Sequence, residues 1–437
     1  MTHSTTTPYL SVGIDVGSNF SVMTIVDPHE KIVGKHFKIY HNKMDSLERA
    51  CSEIKKAEEL HSMKSQTFLE STGIYHFPLF CYLMESGFEV FVINPLITHS
   101  IKNFGIRKVK NDKVDSLTIA KLGLRPDLKT SIMPTDLVLE LRSLARKYYE
   151  LMDTRAANVN RLKLDLHTVF PQYLSIFSNI TGVSSLMILR QYPTPDKILR
   201  GHRKTMIEKL MKASRKGVVK STETYEKLIK AASDAKVFSA SIESIYFNIS
   251  ITLDMIELLD KQAKALLTRM HELIDQNSDE KFIKQIGYLK TIPGVGFISA
   301  VTIMCEIGDF DSFSNPKQLL AYFGLDPSVT QSGNFTGTET HMSKRGSRFA
   351  RRALFAVALA SIRRKKTSGL GNNPILRDFY DSKCKSKPKM VALGAVMHKV
   401  SNIIFAVLRD EKDFVLRSPE QHCKEYQRLH LSLADAA

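Results

Sequence analysis

The chain has 437 residues, with 62 Lys and Arg against 45 Asp and Glu, a net charge of +17 and a pI near 9.5. That length suits two or three domains with their own cores, and the charge favours a polyanionic partner, nucleic acid first and an anionic membrane surface second. No apolar run approaches the roughly 18–20 residues of a membrane span, the start MTHSTTTPYL lacks a secretion-signal pattern, and the scattered Cys51, Cys81, Cys305, Cys384 and Cys423 make neither a disulfide framework nor a zinc cluster. A reduced, cytoplasmic protein is the expectation.

The first predicted elements are two strands in YLSVGIDVGSNFSVMTIVD, residues 9–27, where β-branched residues alternate around a Gly-Ser-Asn turn. Asp15 falls inside the first apolar run, where a carboxylate is costly unless it is paired, although hydrogen bonds within the turn would also satisfy it. A third strand, Ile32 to Ile39, a helix carrying Met44, Leu47, Ala50, Ile54 and Ala57, and a strand ending at Glu70 follow. A helix around Leu79 to Met84 and a strand from Val90 to Ile93 complete a mixed sheet flanked by helices. In NDKVDSLTIAKL, Asp112 and Asp115 stand three apart on one helical face. Like charges so placed repel unless a cation holds them together. Asp15, Glu70, Asp112 and Asp115 therefore make an oxygen-rich set suited to Mg2+, with Mn2+ as a substitute. Two such ions about 3.5–4 Å apart would stabilise both oxygens of an in-line phosphoryl displacement. Just before this helix, IKNFGIRKVKN sets Arg107, Lys108 and Lys110 beside Phe104. That suits a nucleic-acid backbone, or a merely solvated loop.

The order of a strand Asp, a Glu in LESTGIY and Asp-x-x-Asp after RKVKN resembles the IS110/IS1111 family of transposases. The resemblance implies an α/β N-terminal RuvC/ribonuclease-H-like domain over residues 8–130, a central helical coiled-coil and dimerisation region with a basic insert over 131–280, a mainly α C-terminal transposase domain over 281–410, and a polar tail over 411–437.

From Leu137 to Val169, and again from Ile242 to Leu273, apolar residues recur at three-four spacing, interrupted in the first seam by Arg155 and Asn158. Such seams pack as coiled coils or helix bundles, within or between chains. The insert between them, Ile180 to Lys236, is helical and basic, carries no recognisable chemistry and reads as a scaffold with a nucleic-acid-facing surface. Next, FIKQIGYLKTIPGVGFISAVTIMCEIG reads as helix, turn, helix. Gly294 and Gly296 allow close backbone approach, and the second helix offers free N–H groups. This resembles a helix-hairpin-helix that grips phosphates, and equally an ordinary helix–helix turn. SNPKQLLAYFGLDPSVTQSGNF and HMSKRGSRFARRALFAVALASIRRKK resemble the C-terminal transposase domain of the same family, in which the serine of the Gln-Ser-Gly element is the nucleophile. That residue is Ser332 here. By itself Ser332-Gly333 reads as a turn, and a serine hydroxyl needs a base or a metal to attack. His341 could be that base. Lys344, Arg345, Arg348, Arg351 and Arg352 crowd the next helix start, where arginines suit bidentate phosphate contacts.

The resemblance implies a recombinase of bacterial or archaeal origin, associated with the nucleoid, that pairs a structured guide (bridge) RNA with DNA at the element ends and target. It also implies a homo-oligomer, a dimer or tetramer, with a phosphoserine intermediate. Three alternatives are a metal-dependent endonuclease using water as the nucleophile, an actin-fold sugar- or acetate-type kinase suggested by Gly-Ile-Asp-Val-Gly-Ser, and a non-catalytic nucleic-acid scaffold. The net charge and the Asp112/Asp115 pair speak against the kinase, and four costly acidic positions against the scaffold.

Overall fold

A computed structural model describes residues 8–71, 75–93, 97–98, 111–128, 134–327, 331–332, 335–336, 341–365, 367–418, 420–421 and 424. The chain divides into two units, 1–135 and 136–437.

In the first unit, β1 (Leu10–Val16), β2 (Phe20–Val26) and β3 (Ile32–Tyr40) form an antiparallel meander. β4 (Ser65–Glu70) and β5 (Glu89–Ile93) join beside β1 in parallel, giving the order β3-β2-β1-β4-β5. This is the expected mixed sheet flanked by helices. The alternation in β1 sends its two residue sets to different faces. Leu10, Val12, Ile14 and Val16 share a core with α1 (Met44–His61) and α2 (His76–Glu85). Tyr9, Ser11 and Gly13 meet α3 (Asp112–Gly123) on the other face.

In the second unit, α4 (Asp136–Val169) and α9 (Glu243–Gln276) are each 34 residues long, about 50 Å at the α-helical rise. They run antiparallel within one chain. Leu141 and Ala145 share a core with Met270 and Leu273, while Leu162 and Leu166 share another with Ile249, Leu253 and Ile256. Arg155, a polar interruption of the first seam, spans the pair to Asp260, its Nη2 3.0 Å from Oδ2. Asn158, the second interruption, is buried and donates to the Thr154 carbonyl one turn back.

The insert between the long helices holds α5 (Val183–Gln191), α6 (Pro195–Arg200), α7 (Arg203–Ser214) and α8 (Val218–Val237). They enclose Tyr173, Ile188, Met206 and Leu228 around one end of the helix pair. At the other end lie α10 (Lys281–Lys290), α11 (Phe297–Ile307), α12 (Pro316–Tyr322), α13 (Arg348–Ile362), α14 (Pro374–Cys384) and α15 (Lys389–Asp410). The regions separated in sequence at 280/281 share one core here, since Leu141, Ala145, Met270 and Leu273 pack with Ile286, Val301 and Val400.

One sequence expectation needs correcting. Among the described residues, α15 is long and apolar enough by length and composition to cross a membrane. Counting uninterrupted apolar residues missed it because His398 and Lys399 break the run. Its Val396, Val400, Ile404 and Leu408 are buried in the C-terminal core, as in the central helix of a bundle. Arg107, Lys108 and Lys110, and most of the tail beyond Arg417, lie outside the described residues.

Candidate active site and nucleic-acid surface

The four acidic positions lie on three elements, β1, β4 and α3. In the parallel β1–β4 pair, Ile14 stands opposite Leu69, so Asp15 and Glu70 are the next matched positions on neighbouring strands. Both lie at the C-terminal rim of the sheet. Matched residues of paired strands share a face. Phe68, two before Glu70, packs with Ile119 and Leu122 of α3, so Glu70 lies on the α3 face, as does Asp15, two beyond Gly13.

Helix α3 crosses that face antiparallel to β1. Tyr9 donates to the Gly123 carbonyl at 2.6 Å and Ser11 to the Ala120 carbonyl at 2.6 Å. A Cβ on Gly13 would come within 2.3 Å of the Ser116 carbonyl oxygen and 2.2 Å of the Ala120 nitrogen. Two strand residues advance about 6.6 Å and four helical residues about 6 Å, so the two ladders keep step. One step further along β1 stands Asp15, and one step back along α3 is its first turn, which carries Asp112 and Asp115. Asp112 is exposed and Asp115 buried.

A buried hydroxyl chain holds that turn. Thr24 Oγ1 lies 2.7 Å from Ser116 Oγ and 2.7 Å from His36 Nδ1, and Ser116 donates to the Lys113 carbonyl at 3.1 Å. Asn111 caps the helix, accepting from the Lys113 N–H at 3.1 Å. Gly13 and Gly123 matter because neither has room for a side chain; a Cβ on Gly123 would be 2.3 Å from Ser11 Oγ.

Among the described residues, no group of three or more His, Cys, Asp or Glu side chains is gathered closely enough to hold a metal ion. The rim nevertheless offers a fitting donor set, hard carboxylate oxygens of the kind Mg2+ and Mn2+ take.

Ser332 lies in the second unit, on β6 (Gln331–Ser332), which pairs with β7 (Phe335–Thr336) so that Ser332 is opposite Phe335. The polar loop expected here is thus a short hairpin. Its stem is tied by backbone contacts. Pro327 bridges Met342, the Ser343 N–H donates to the Asp326 carbonyl at 2.8 Å, and the Lys344 N–H to the Gly324 carbonyl at 3.0 Å. Gly324 and Gly346 permit this approach; a Cβ on Gly346 would be 1.9 Å from the Tyr322 carbonyl oxygen. His341 is exposed at the foot of the hairpin.

The basic residues that follow separate into two groups. Lys344, Arg345 and Arg348 are exposed and, among the described residues, form no ion pair. Arg351 is committed to the stem, donating to the Phe323 and Gly346 carbonyls at 3.1 and 2.6 Å, and burial holds its guanidinium below the usual arginine range. Arg352 forms a two-point bridge to Asp153 at 2.7 and 2.7 Å and lies over the Tyr149 ring. Both fasten α13 in place.

Gly294, with φ +103°, similarly serves packing. A Cβ there would be 2.3 Å from Ser361 Oγ, which itself donates to the Pro293 carbonyl at 2.8 Å. Gly296 caps α11, exposed and with open space before it. Of the two glycines in the turn, it is the one a phosphate could approach.

Sequence patterning gave no sign of the anchor for the opposite end of α11. Glu306 is 6 % exposed and takes two bonds from Arg146, each 2.9 Å, while Arg142 and Tyr322 donate to the Cys305 and Glu306 carbonyls. Their partners are over 150 residues away or on a short neighbouring helix, beyond the reach of local spacing.

The chain matches two family models, one described as Transposase over residues 12–171 and one as Transposase IS116/IS110/IS902 family over residues 287–381. It is 21% identical over 340 residues to the insertion element IS110 uncharacterized 43.6 kDa protein of Streptomyces coelicolor, covering 77% of this chain and 79% of that protein. It is 30% identical over 174 residues to the pilin gene-inverting protein of Moraxella bovis, covering 40% of this chain and 49% of that one. The transposase for insertion sequence element IS1111A of Coxiella burnetii is 26% identical over 170 residues, covering 38% and 45%.

Proposed function

The chain belongs to the IS110/IS1111 family of transposases, and we propose that it is a cytoplasmic, nucleoid-acting recombinase that cuts and rejoins DNA strands through Ser332 and the Asp15, Glu70, Asp112 and Asp115 rim. The observation that supports the reading is the register of β1, β4 and α3, which sets Asp15 and Glu70 at neighbouring strand ends on the face that α3 crosses. The sheet order and its flanking helices support a ribonuclease-H-like reading of this unit.

Asp15, Glu70, Asp112 and Asp115 would hold Mg2+, which supplies Lewis-acid stabilisation of charge on a phosphoryl oxygen. Ser332 Oγ attacks the scissile phosphorus. A P–Oγ bond forms, one P–O bond to deoxyribose breaks, and that sugar leaves as a free hydroxyl. Attack of an incoming strand's hydroxyl on the phosphoserine reverses the exchange and returns the serine, so no external energy source is needed. His341, at the foot of the hairpin, is the candidate base for the serine proton. Lys344, Arg345, Arg348 and the Gly296 turn supply backbone contacts.

The guide RNA is carried over from the family resemblance, with the net charge in its favour. Base pairing would then choose the sequence while the protein grips backbone. A homo-oligomer is supported by an apolar stripe on α9, where Phe247, Ile251, Met255 and Leu258 are 67%, 45%, 45% and 55% exposed.

The test is substitution at the rim. Glu70→Gln and Asp112→Asn should each abolish cleavage of a supercoiled plasmid carrying the element ends, with DNA and RNA binding nearly unchanged. Full cleavage by both variants in Mg2+ would remove the rim from the chemistry.

A further inference from the structure

The insert between the long helices has no part in the chemistry above, yet it is a folded body with its own core. Its cations are distributed unevenly. Some are paired: Arg190 with Asp254 and Glu257, and Lys236 with Asp196 at 2.7 Å. The tip joining α7 to α8 differs. Between Lys212 and Lys220 the chain reads KASRKGVVK, with four cations and no acid. Lys212, Arg215, Lys216 and Lys220 are all exposed and form no ion pair among the described residues. Glu208 and Glu223 bound the patch on either side.

Two further features mark this tip. Val218 and Val219, inside the patch, are 57% and 73% exposed. The turn is also tight and fixed, with Arg215 at φ +54° and its N–H bonded to the Met211 carbonyl at 2.9 Å. The four cations thus lie on the last turn of α7, the joining turn and the first turn of α8 rather than on a loose tail.

The position of the insert gives the patch a role. Its core includes Leu162 and Leu166 of α4, whereas the C-terminal core takes Leu141 and Ala145 of the same helix. The 17 residues from Ala145 to Leu162 correspond to about 25 Å along α4.

We propose that the α7–α8 tip is a second, sequence-independent phosphodiester site that grips a nucleic-acid duplex outside the residues assigned to the chemistry. The proposal rests on the reading of the chain as a DNA-cutting recombinase only for the identity of the duplex. Four phosphate contacts would contribute a large salt-dependent share of binding through counterion release.

The test uses the full chain with Lys212→Gln, Arg215→Gln, Lys216→Gln and Lys220→Gln combined. Binding of 40-base-pair DNA, of duplex RNA and of single-stranded RNA is measured by anisotropy from 50 to 200 mM salt, with circular dichroism to confirm folding. For the duplex engaged, the slope of log affinity against log salt should become shallower by about three to four, and the nuclease footprint should shorten at one end. A change confined to the DNA or the RNA duplex identifies the ligand. Because no cleavage is read, loss of the slope supports this site even if the rim variants cut normally. Unchanged slopes for all three probes would overturn the proposal. If the quadruple variant misfolds, Arg215→Gln with Lys216→Gln alone should remove about half the effect, and an unchanged slope there would overturn it equally.

Discussion

In the N-terminal unit the acidic residues sit on regular elements whose mutual register is fixed by buried contacts along the length of α3, from Tyr9–Gly123 to Thr24–Ser116. In the C-terminal unit Ser332 sits on a two-residue strand, and the described contacts that hold its hairpin lie at the stem, around Gly324 and Gly346. The first arrangement packs its carboxylate-bearing elements tightly, leaving no room for side chains at Gly13 and Gly123. The second is tied at the foot of the hairpin that carries the serine. Changes beneath the rim should therefore disturb stability and activity together, and changes at the serine should disturb activity alone.

The largest contrast is expected from Glu70→Gln, which should reduce strand cleavage at least a hundredfold, in line with the several kcal/mol a bound ion contributes, while leaving the melting temperature nearly unchanged. Retained cleavage would show that the rim is structural. Gly13→Ala comes next. Its Cβ would overlap the backbone of α3 at Ser116 and Ala120, so about 3 kcal/mol of overpacking is expected, with cleavage lost in parallel. A variant that melts normally and cuts normally would break the link between helix docking and activity.

Arg146→Ala tests the other unit. It leaves Glu306, 6 % exposed, without its two bonds. The remaining charge should cost about 3 kcal/mol, measured by urea unfolding, and Glu306→Gln in the same chain should recover part of it. Ser116→Ala is milder, about 1 kcal/mol for the lost buried hydrogen bond. If register matters, this variant should need more Mg2+ for half-maximal cleavage, an effect that a loss of stability alone would not produce.

The placement of the carboxylates on two strands and a helix was legible in the sequence because each breaks a local rule. Asp15 and Glu70 interrupt apolar strands, and Asp112 and Asp115 repeat at helical spacing. Ser11, Thr24 and Ser116, which dock the helix between them, break no rule, since a small polar residue in a strand or helix looks like ordinary alternation. The arginines show the reverse failure. Arg351 and Arg352 have the composition of a phosphate site, but their ligands are the Phe323 and Gly346 carbonyls and Asp153, the last 199 residues away. An arginine's own helix does not reveal its partner. The same holds for Gly294, whose glycine requirement comes from Ser361 on α13. The sheet and the paired long helices were visible from periodicity; that the helices pair within one chain follows from their shared cores at both ends.

The hairpin serine is tested most directly by trapping the protein on a suicide DNA substrate and mapping any covalent adduct by mass spectrometry. The wild-type chain should carry nucleotide on the peptide containing Ser332. Ser332→Ala should fold, bind nucleic acid and yield no adduct and no recombinant product, and Glu70→Gln should bind without forming the adduct. Adduct-free cleavage by the wild type, persisting in Ser332→Ala, would contradict serine attack and identify water as the nucleophile.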